Sequence, residues 1–324
     1  MSIIEKALEK RGAEKPDNTT DPTDFDEIYP VSDVQPVSDV QKDFVPVPDD
    51  YETASTKAIE NVIARSDKPA RLEDIPEIRK NLSKRETIDF EILQSRGMLL
   101  PEGGPKQLAE EYRQIKRPLL MNAFPDGDNG IKRSNLILVT SSLPGEGKTF
   151  TAINLAISIA SEREKTVLLV DADVAKPSVS KVLGIQADRG LTDMLEDPSV
   201  RFSDVLIRTN IPKLTLLPAG RMHEYSTELL ASDTMRRLTD EMSQRYADRI
   251  VIFDSPPLLA ATQGGVLADL VGQVVLVVES EVTPQYIVKE AASKLDDCEV
   301  VGCVLNKTKK GIGLNYYAYG NYGR

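Results

Sequence analysis

The strongest chemical signal in the chain is SLPGEGKT, from Ser142 to Thr149. A loop that cradles phosphate needs small residues, so that backbone N–H groups can face the oxygens. It needs a lysine to reach the outer phosphates and a hydroxyl to help hold Mg²⁺. Gly145, Gly147, Lys148 and Thr149 supply these. Ser142, Leu143, Pro144, Gly145, Glu146, Gly147, Lys148, Thr149 and Phe150 are therefore read as the ATP-binding segment. Ser142 stands where the pattern G-x-x-x-x-G-K-[ST] opens with glycine, and it is small enough to serve.

Two acidic motifs accompany the loop. VLLVDADVAKP sets Asp171 and Asp173 just after an apolar run, and VIFDSPP does the same for Asp254. Acids at the C-terminal ends of parallel strands face the ligand crevice of an open α/β sheet. One such Asp alone is equally a cap or a turn residue. Together with a phosphate loop they imply a metal, because clustered carboxylates repel unless a cation lies between them. Thr149, Asp171 and Asp254 are the expected Mg²⁺ residues. A third cluster is NYYAYGNYGR, with Tyr316, Tyr317, Tyr319 and Tyr322 close together among Gly and Asn. It reads either as a sticky low-complexity end or as a flexible tail that presents hydroxyls to an active site.

These residues need a frame. Apolar, β-branched runs at 135–140, 166–170, 214–217, 250–253, 274–278 and 300–305 alternate with helical patterns at 148–160, 227–246 and 283–295. Continuous apolar strands alternating with helices predict a P-loop NTPase fold, α/β, with a mostly parallel, doubly wound sheet covered on both faces. Upstream, TIDFEILQSRGMLL has helical spacing and a Gly stop, and 105–120 forms a helix that Pro118 ends. The expected organisation is a short amphipathic helix over 1–12 and a disordered acidic, Pro-rich linker over 13–86. The catalytic domain follows over 87–306, and a flexible tyrosine-rich tail over 307–324. The linker contains PVSDVQ twice in succession, at 30–35 and 36–41, which reads as a duplicated spacer.

Composition limits the alternatives. A formal charge of −11 at pH 7 argues against nucleic acid as a partner. Cys298 and Cys303 are too few for a four-ligand metal site alongside a single histidine, His223 in a polar loop, and they suit a reducing compartment. No apolar run is long enough to span a bilayer. Lys307, Lys309 and Lys310, at the start of the tail, are expected to attract a neighbour's acidic surface.

As an ordered set, SSLPGEGKT, VLLVDADVAKP, RGLTDML (189–195), LLPAG (216–220), IVIFDSPPLL and the tyrosine tail resemble the bacterial tyrosine autokinases of exopolysaccharide systems. The likeness covers residues 88–324 and is strongest to the free-standing cytoplasmic branch linked to exosortase-type loci. It implies Mg·ATP-dependent phosphorylation of the chain's own tail, with Tyr316, Tyr317, Tyr319 and Tyr322 as acceptors in a neighbouring subunit's site. Lys148, Asp171 and Asp173 would be catalytic. Glu110, Arg113 and Lys116 resemble the family's E-x-x-R-x-x-R assembly motif, which packs a ring-type homo-oligomer, with Lys in place of the last Arg. Lys cannot reproduce the planar fork of Arg. Also implied are a separate membrane polysaccharide chain-length protein as activator, a counteracting tyrosine phosphatase, and recruitment to the inner face of the membrane. One rival is a Par/Min-type positioning ATPase, whose loop carries an additional Lys where Leu143 stands here; a second, left open by Lys116 in the assembly helix, is an assembly factor that binds ATP but transfers nothing.

Overall fold

The computed structural model describes residues 84–127, 130–223, 225–244 and 248–309. The chain divides near residue 81, and the second unit, Leu82–Arg324, holds all of them. The expected N-terminal helix, the PVSDVQ repeat, most of the linker and the tail tyrosines lie outside the described residues.

The strands are β1 (Lys84–Glu86), β2 (Leu136–Ser141), β3 (Thr166–Asp171), β4 (Ile207–Thr209), β5 (Leu214–Leu217), β6 (Arg249–Asp254), β7 (Gln273–Glu279) and β8 (Val300–Asn306). They form one eight-stranded sheet in the order β1-β4-β5-β3-β6-β2-β7-β8. Every pairing is parallel except β4 with β5. Between them lie α1 (Phe90–Ser95), α2 (Lys106–Ala123), α3 (Lys148–Ala160), α4 (Val179–Leu183), α5 (Leu191–Glu196), α6 (Phe202–Val205), α7 (Ser226–Leu230), α8 (Asp233–Gln244), α9 (Gln263–Ala268) and α10 (Gln285–Ser293).

The apolar runs are unbroken because alternate residues serve two cores. Ile137, Val139, Leu169, Ile252 and Val275 pack with α2 and α3 on one face. Leu136, Leu138, Val170, Phe253 and Leu276 pack with α8, α9 and α10 on the other. A side-chain period of two places consecutive residues on opposite faces, so a doubly covered strand must be apolar throughout. Cys298 and Cys303 are half-buried at the rim of the second core.

Three expectations need correction. Residues 84–86, assigned to the linker, form β1 and pair with β4, so the folded domain begins earlier than residue 87. Pro118 does not end α2, which runs on to Ala123. Interior Pro forfeits one helical bond, but continuing the helix buries Leu119 and Ala123 against the first core. The helix expected over 227–246 is two helices, α7 and α8. Ser232 breaks it: its hydroxyl donates to the Leu229 carbonyl at 2.7 Å and accepts the Met235 N–H at 3.2 Å, the local side-chain bonding that makes Ser a cap.

Candidate functional site

The phosphate-type loop joins β2 to α3, as the sequence pattern requires. Gly145 and Gly147 adopt positive φ, 91° and 96°, a region that side chains with a Cβ disfavour. Ser142 is not among the positive-φ residues, so the first loop position does not require glycine, although the buried Ser142 hydroxyl has no hydrogen-bond partner. Phe150, in the first turn of α3, packs toward the first core.

β3 and β6 run side by side in register, with Asp171 opposite Asp254. This registry brings the two acidic motifs to the loop. Thr149 donates its hydroxyl to Asp254 Oδ2 at 2.6 Å, and Lys148 Nζ reaches Asp173 Oδ2 at 2.8 Å. Asp171 Oδ2 accepts the backbone N–H groups of Ser178 and Val179, each at 3.0 Å. The Ser178 hydroxyl lies 3.0 Å from that of Thr149. The predicted residues Lys148, Thr149, Asp171, Asp173 and Asp254 thus meet at one point. Ser178 joins them unpredicted, because a lone serine after a proline gives no signal of its own.

Charge is crowded here. Burial, reinforced by the charge of Asp254, pushes Asp171 up to about 7. Burial also raises Asp254 to about 6, despite the opposing pull of Lys148 and Thr149. Burial alone would lower Lys148, but Asp254, Asp173 and Asp171 more than offset it and hold the ammonium charged. Asp171 Oδ1 and Asp254 Oδ1 are buried and have no hydrogen-bond partner. Two orphaned carboxylate oxygens on adjacent strand ends, beside a threonine hydroxyl, fit a small hard cation. Among the described residues no three His, Cys, Asp or Glu side chains converge as a complete metal cage.

The outer side of the loop is tied to β7 and β8. Glu146, 2% exposed, accepts the Leu143 N–H at 2.6 Å and the Glu279 N–H at 3.3 Å, and also bonds the Thr283 hydroxyl. Within the chain, Lys307 bonds the Gly145 carbonyl and Glu279. Lys309 lies 3.9 Å from Glu281, and Lys310 is outside the described residues. Sequence reasoning missed this layer, although the position of Asn306 and Lys307 at a strand's C-terminal end was a usable signal.

RGLTDML and LLPAG form a single clamp beside β5. Asp193 accepts the N–H groups of Gly190 and Arg221 and pairs with the Arg221 guanidinium, which holds it below the usual carboxylate range against the opposing effect of burial. On α2, Glu110 and Arg113 are exposed and paired to each other. Lys116 does not share their face. It is buried, donates to the Ser158 carbonyl at 2.7 Å and pairs with Glu162 at 2.6 Å. His223, expected to be solvated, lies 3.3 Å from Glu196 and against the Tyr225 ring.

Comparison with known proteins places this geometry. A family model described as an AAA domain matches residues 134–286. The tyrosine-protein kinase YwqD of Bacillus subtilis is 33% identical over 219 residues, covering 67% of this chain and 88% of that protein. The chain belongs to the bacterial tyrosine-kinase family. The kinase is also 30% identical to the tyrosine-protein kinase Wzc of Salmonella typhimurium over 227 residues, 69% of this chain but 30% of that longer protein. The crystal structure of the chimerical protein CapA2B2 superposes with a TM-score of 0.57 and 28% identity, covering 74% of this chain and all of that one. The fold is that of a P-loop NTPase, and its activity is that of a protein-tyrosine kinase. Among the described residues no helix is long and apolar enough to cross a membrane.

Proposed function

We propose that this kinase uses Mg·ATP to phosphorylate the tyrosines of its own C-terminal tail, Tyr316, Tyr317, Tyr319 and Tyr322, in a neighbouring subunit. The observation that carries the reading is the pair of orphaned oxygens on Asp171 and Asp254 beside Thr149 and Lys148. Lys148 is held in reserve on Asp173, and the γ-phosphate would draw it away. Magnesium, when bound, would neutralise charge that builds up on the phosphates. Thr149, Asp171 and Asp254 would hold it.

In the transfer, the tyrosine oxygen bonds to the γ-phosphorus as the bond to the ADP oxygen breaks. The phenolic proton would pass to Asp171, the strand-end carboxylate beside Lys148 and Thr149. Asp173 steadies Lys148 before and after the step. An acceptor segment would approach through a groove of about 520 Å³ whose lining starts, in sequence, two residues beyond Asp173, at Ala175, and four beyond Asp254, with Leu258 to Gln263.

By extension of the same reading, subunits assemble as a ring in which Glu110 and Arg113 face a neighbour, while Lys116 locks α2 to the C-terminal end of α3. A separate membrane chain-length protein would activate the kinase at the inner face of the membrane, and a phosphatase would reset it. The output would be control of exopolysaccharide polymerisation or export. Phosphotyrosine on the purified chain after incubation with Mg·ATP, absent from a Lys148→Met variant, is the expected result. Hydrolysis of ATP with no phosphotyrosine would favour a positioning ATPase instead.

A further inference from the structure

A phosphate loop works only while its N–H groups face the ligand. The peptide unit is planar and trans, so its C=O and N–H point in opposite directions. The unit between Gly145 and Glu146 carries the carbonyl of the first and the N–H of the second. The next unit carries the Glu146 carbonyl and the Gly147 N–H. Fixing these two carbonyls on the outer side of the loop fixes two N–H groups toward the crevice.

The structure holds both carbonyls with consecutive residues at the end of β8. Lys307 Nζ donates to the Gly145 carbonyl at 2.8 Å and pairs with Glu279 at 2.9 Å. Asn306 Nδ2 donates to the Glu146 carbonyl at 2.9 Å. The same amide lies over the bare face of Gly147, where an added Cβ would overlap it. Glu146 completes the strap from its side-chain end through Glu279 and Thr283. Glycine-rich backbone is free to flip its peptide units, so these anchors preset a geometry that binding would otherwise have to select.

We propose that Asn306 and Lys307 are positioning residues for nucleotide binding, holding the 145–146 and 146–147 peptide units so that their N–H groups face the phosphates. This rests on the reading of the loop as an ATP site. Neither residue touches the nucleotide in this role. Each raises the fraction of protein whose loop is ready to bind, and affinity scales with that fraction.

The test is Mg·ATP affinity of the full chain by titration calorimetry, alongside the melting temperature without nucleotide. Lys307 is half exposed, so Lys307→Met removes both bonds at little cost to the fold. Asn306→Asp keeps the shape but replaces the donor with an acceptor. Each is expected to weaken Mg·ATP binding about tenfold, near the 1.4 kcal/mol equivalent of one lost anchor. Lys307→Arg should recover most of the affinity, and the melting temperature of the Lys307 variants should match that of the wild type. Wild-type binding by both variants, or a loss that merely follows a lowered melting temperature, would overturn the proposal. A wild-type chain that binds no Mg·ATP would instead remove the reading of the site on which the proposal stands.

Discussion

At the scale of single residues, the site behaves as a store of charge waiting for a cation. An unfolded Asp171 titrates near its ordinary 3.8, and the folded one near about 7. Between those values the folded state holds the extra proton, so the contribution of this group to stability falls as pH rises through that window. In metal-free protein, the melting temperature of the wild type should therefore drop relative to Asp171→Asn as pH is raised from about 5 to about 8. Added Mg²⁺ should recover more of the loss at the higher pH, where it displaces no proton. A difference between the two proteins that is independent of pH would contradict the crowding of Asp171 and Asp254. Lys148→Met should lower phosphoryl transfer by at least about 100-fold, the order seen when one charge-stabilising donor is removed, in a quenched radiolabel assay. Most of these residues were legible beforehand because phosphate chemistry demands a fixed order of small, basic and hydroxyl residues. Ser178 was not, since a single polar residue at a loop end looks like any turn until the fold brings it to its partner; Asn306 and Lys307 showed only their place at a strand's C-terminal end, not the loop they hold.

At the scale of elements, the strands were legible almost to the residue, because burial on both faces leaves an unmistakable apolar run. The edges were harder. β1 and β4 are three residues each and too short to show a period. Pro118 misled because tertiary burial of Leu119 and Ala123 outweighs the local cost of proline. The motifs RGLTDML and LLPAG were visible as words, but their meaning is a contact between elements. Gly190 is extended rather than strained, and it is glycine because a Cβ there would overlap the Pro218 carbonyl and the Gly220 nitrogen. Both obstacles are backbone and cannot swing aside. Gly190→Ala should therefore destabilise more than Asp193→Ala, which frees two N–H groups at a cost of about 1–3 kcal/mol. Urea unfolding followed by circular dichroism would rank the two, and the reverse order would show the clamp to be electrostatic rather than steric.

At the scale of the whole molecule, the account joins a site that the fold builds to a tail that lies outside the described residues. Replacing Tyr316, Tyr317, Tyr319 and Tyr322 with Phe should remove most autophosphorylation while leaving nucleotide binding unchanged, as read by phosphopeptide mapping and calorimetry. Full labelling of that variant would move the acceptors elsewhere, to Tyr225 or Tyr246. Mixing it with a Lys148→Met chain that keeps its tyrosines should label only the latter, because donor site and acceptor then sit on different subunits. The central claim is that the lysine of the loop and the paired strand-end acids transfer a phosphoryl group from ATP to tyrosine. Intact-mass measurement of the purified chain, with and without Mg·ATP, tests it most directly. The account predicts a ladder of added phosphoryl groups that needs both magnesium and Lys148. An unchanged mass in a chain shown to bind Mg·ATP would contradict it.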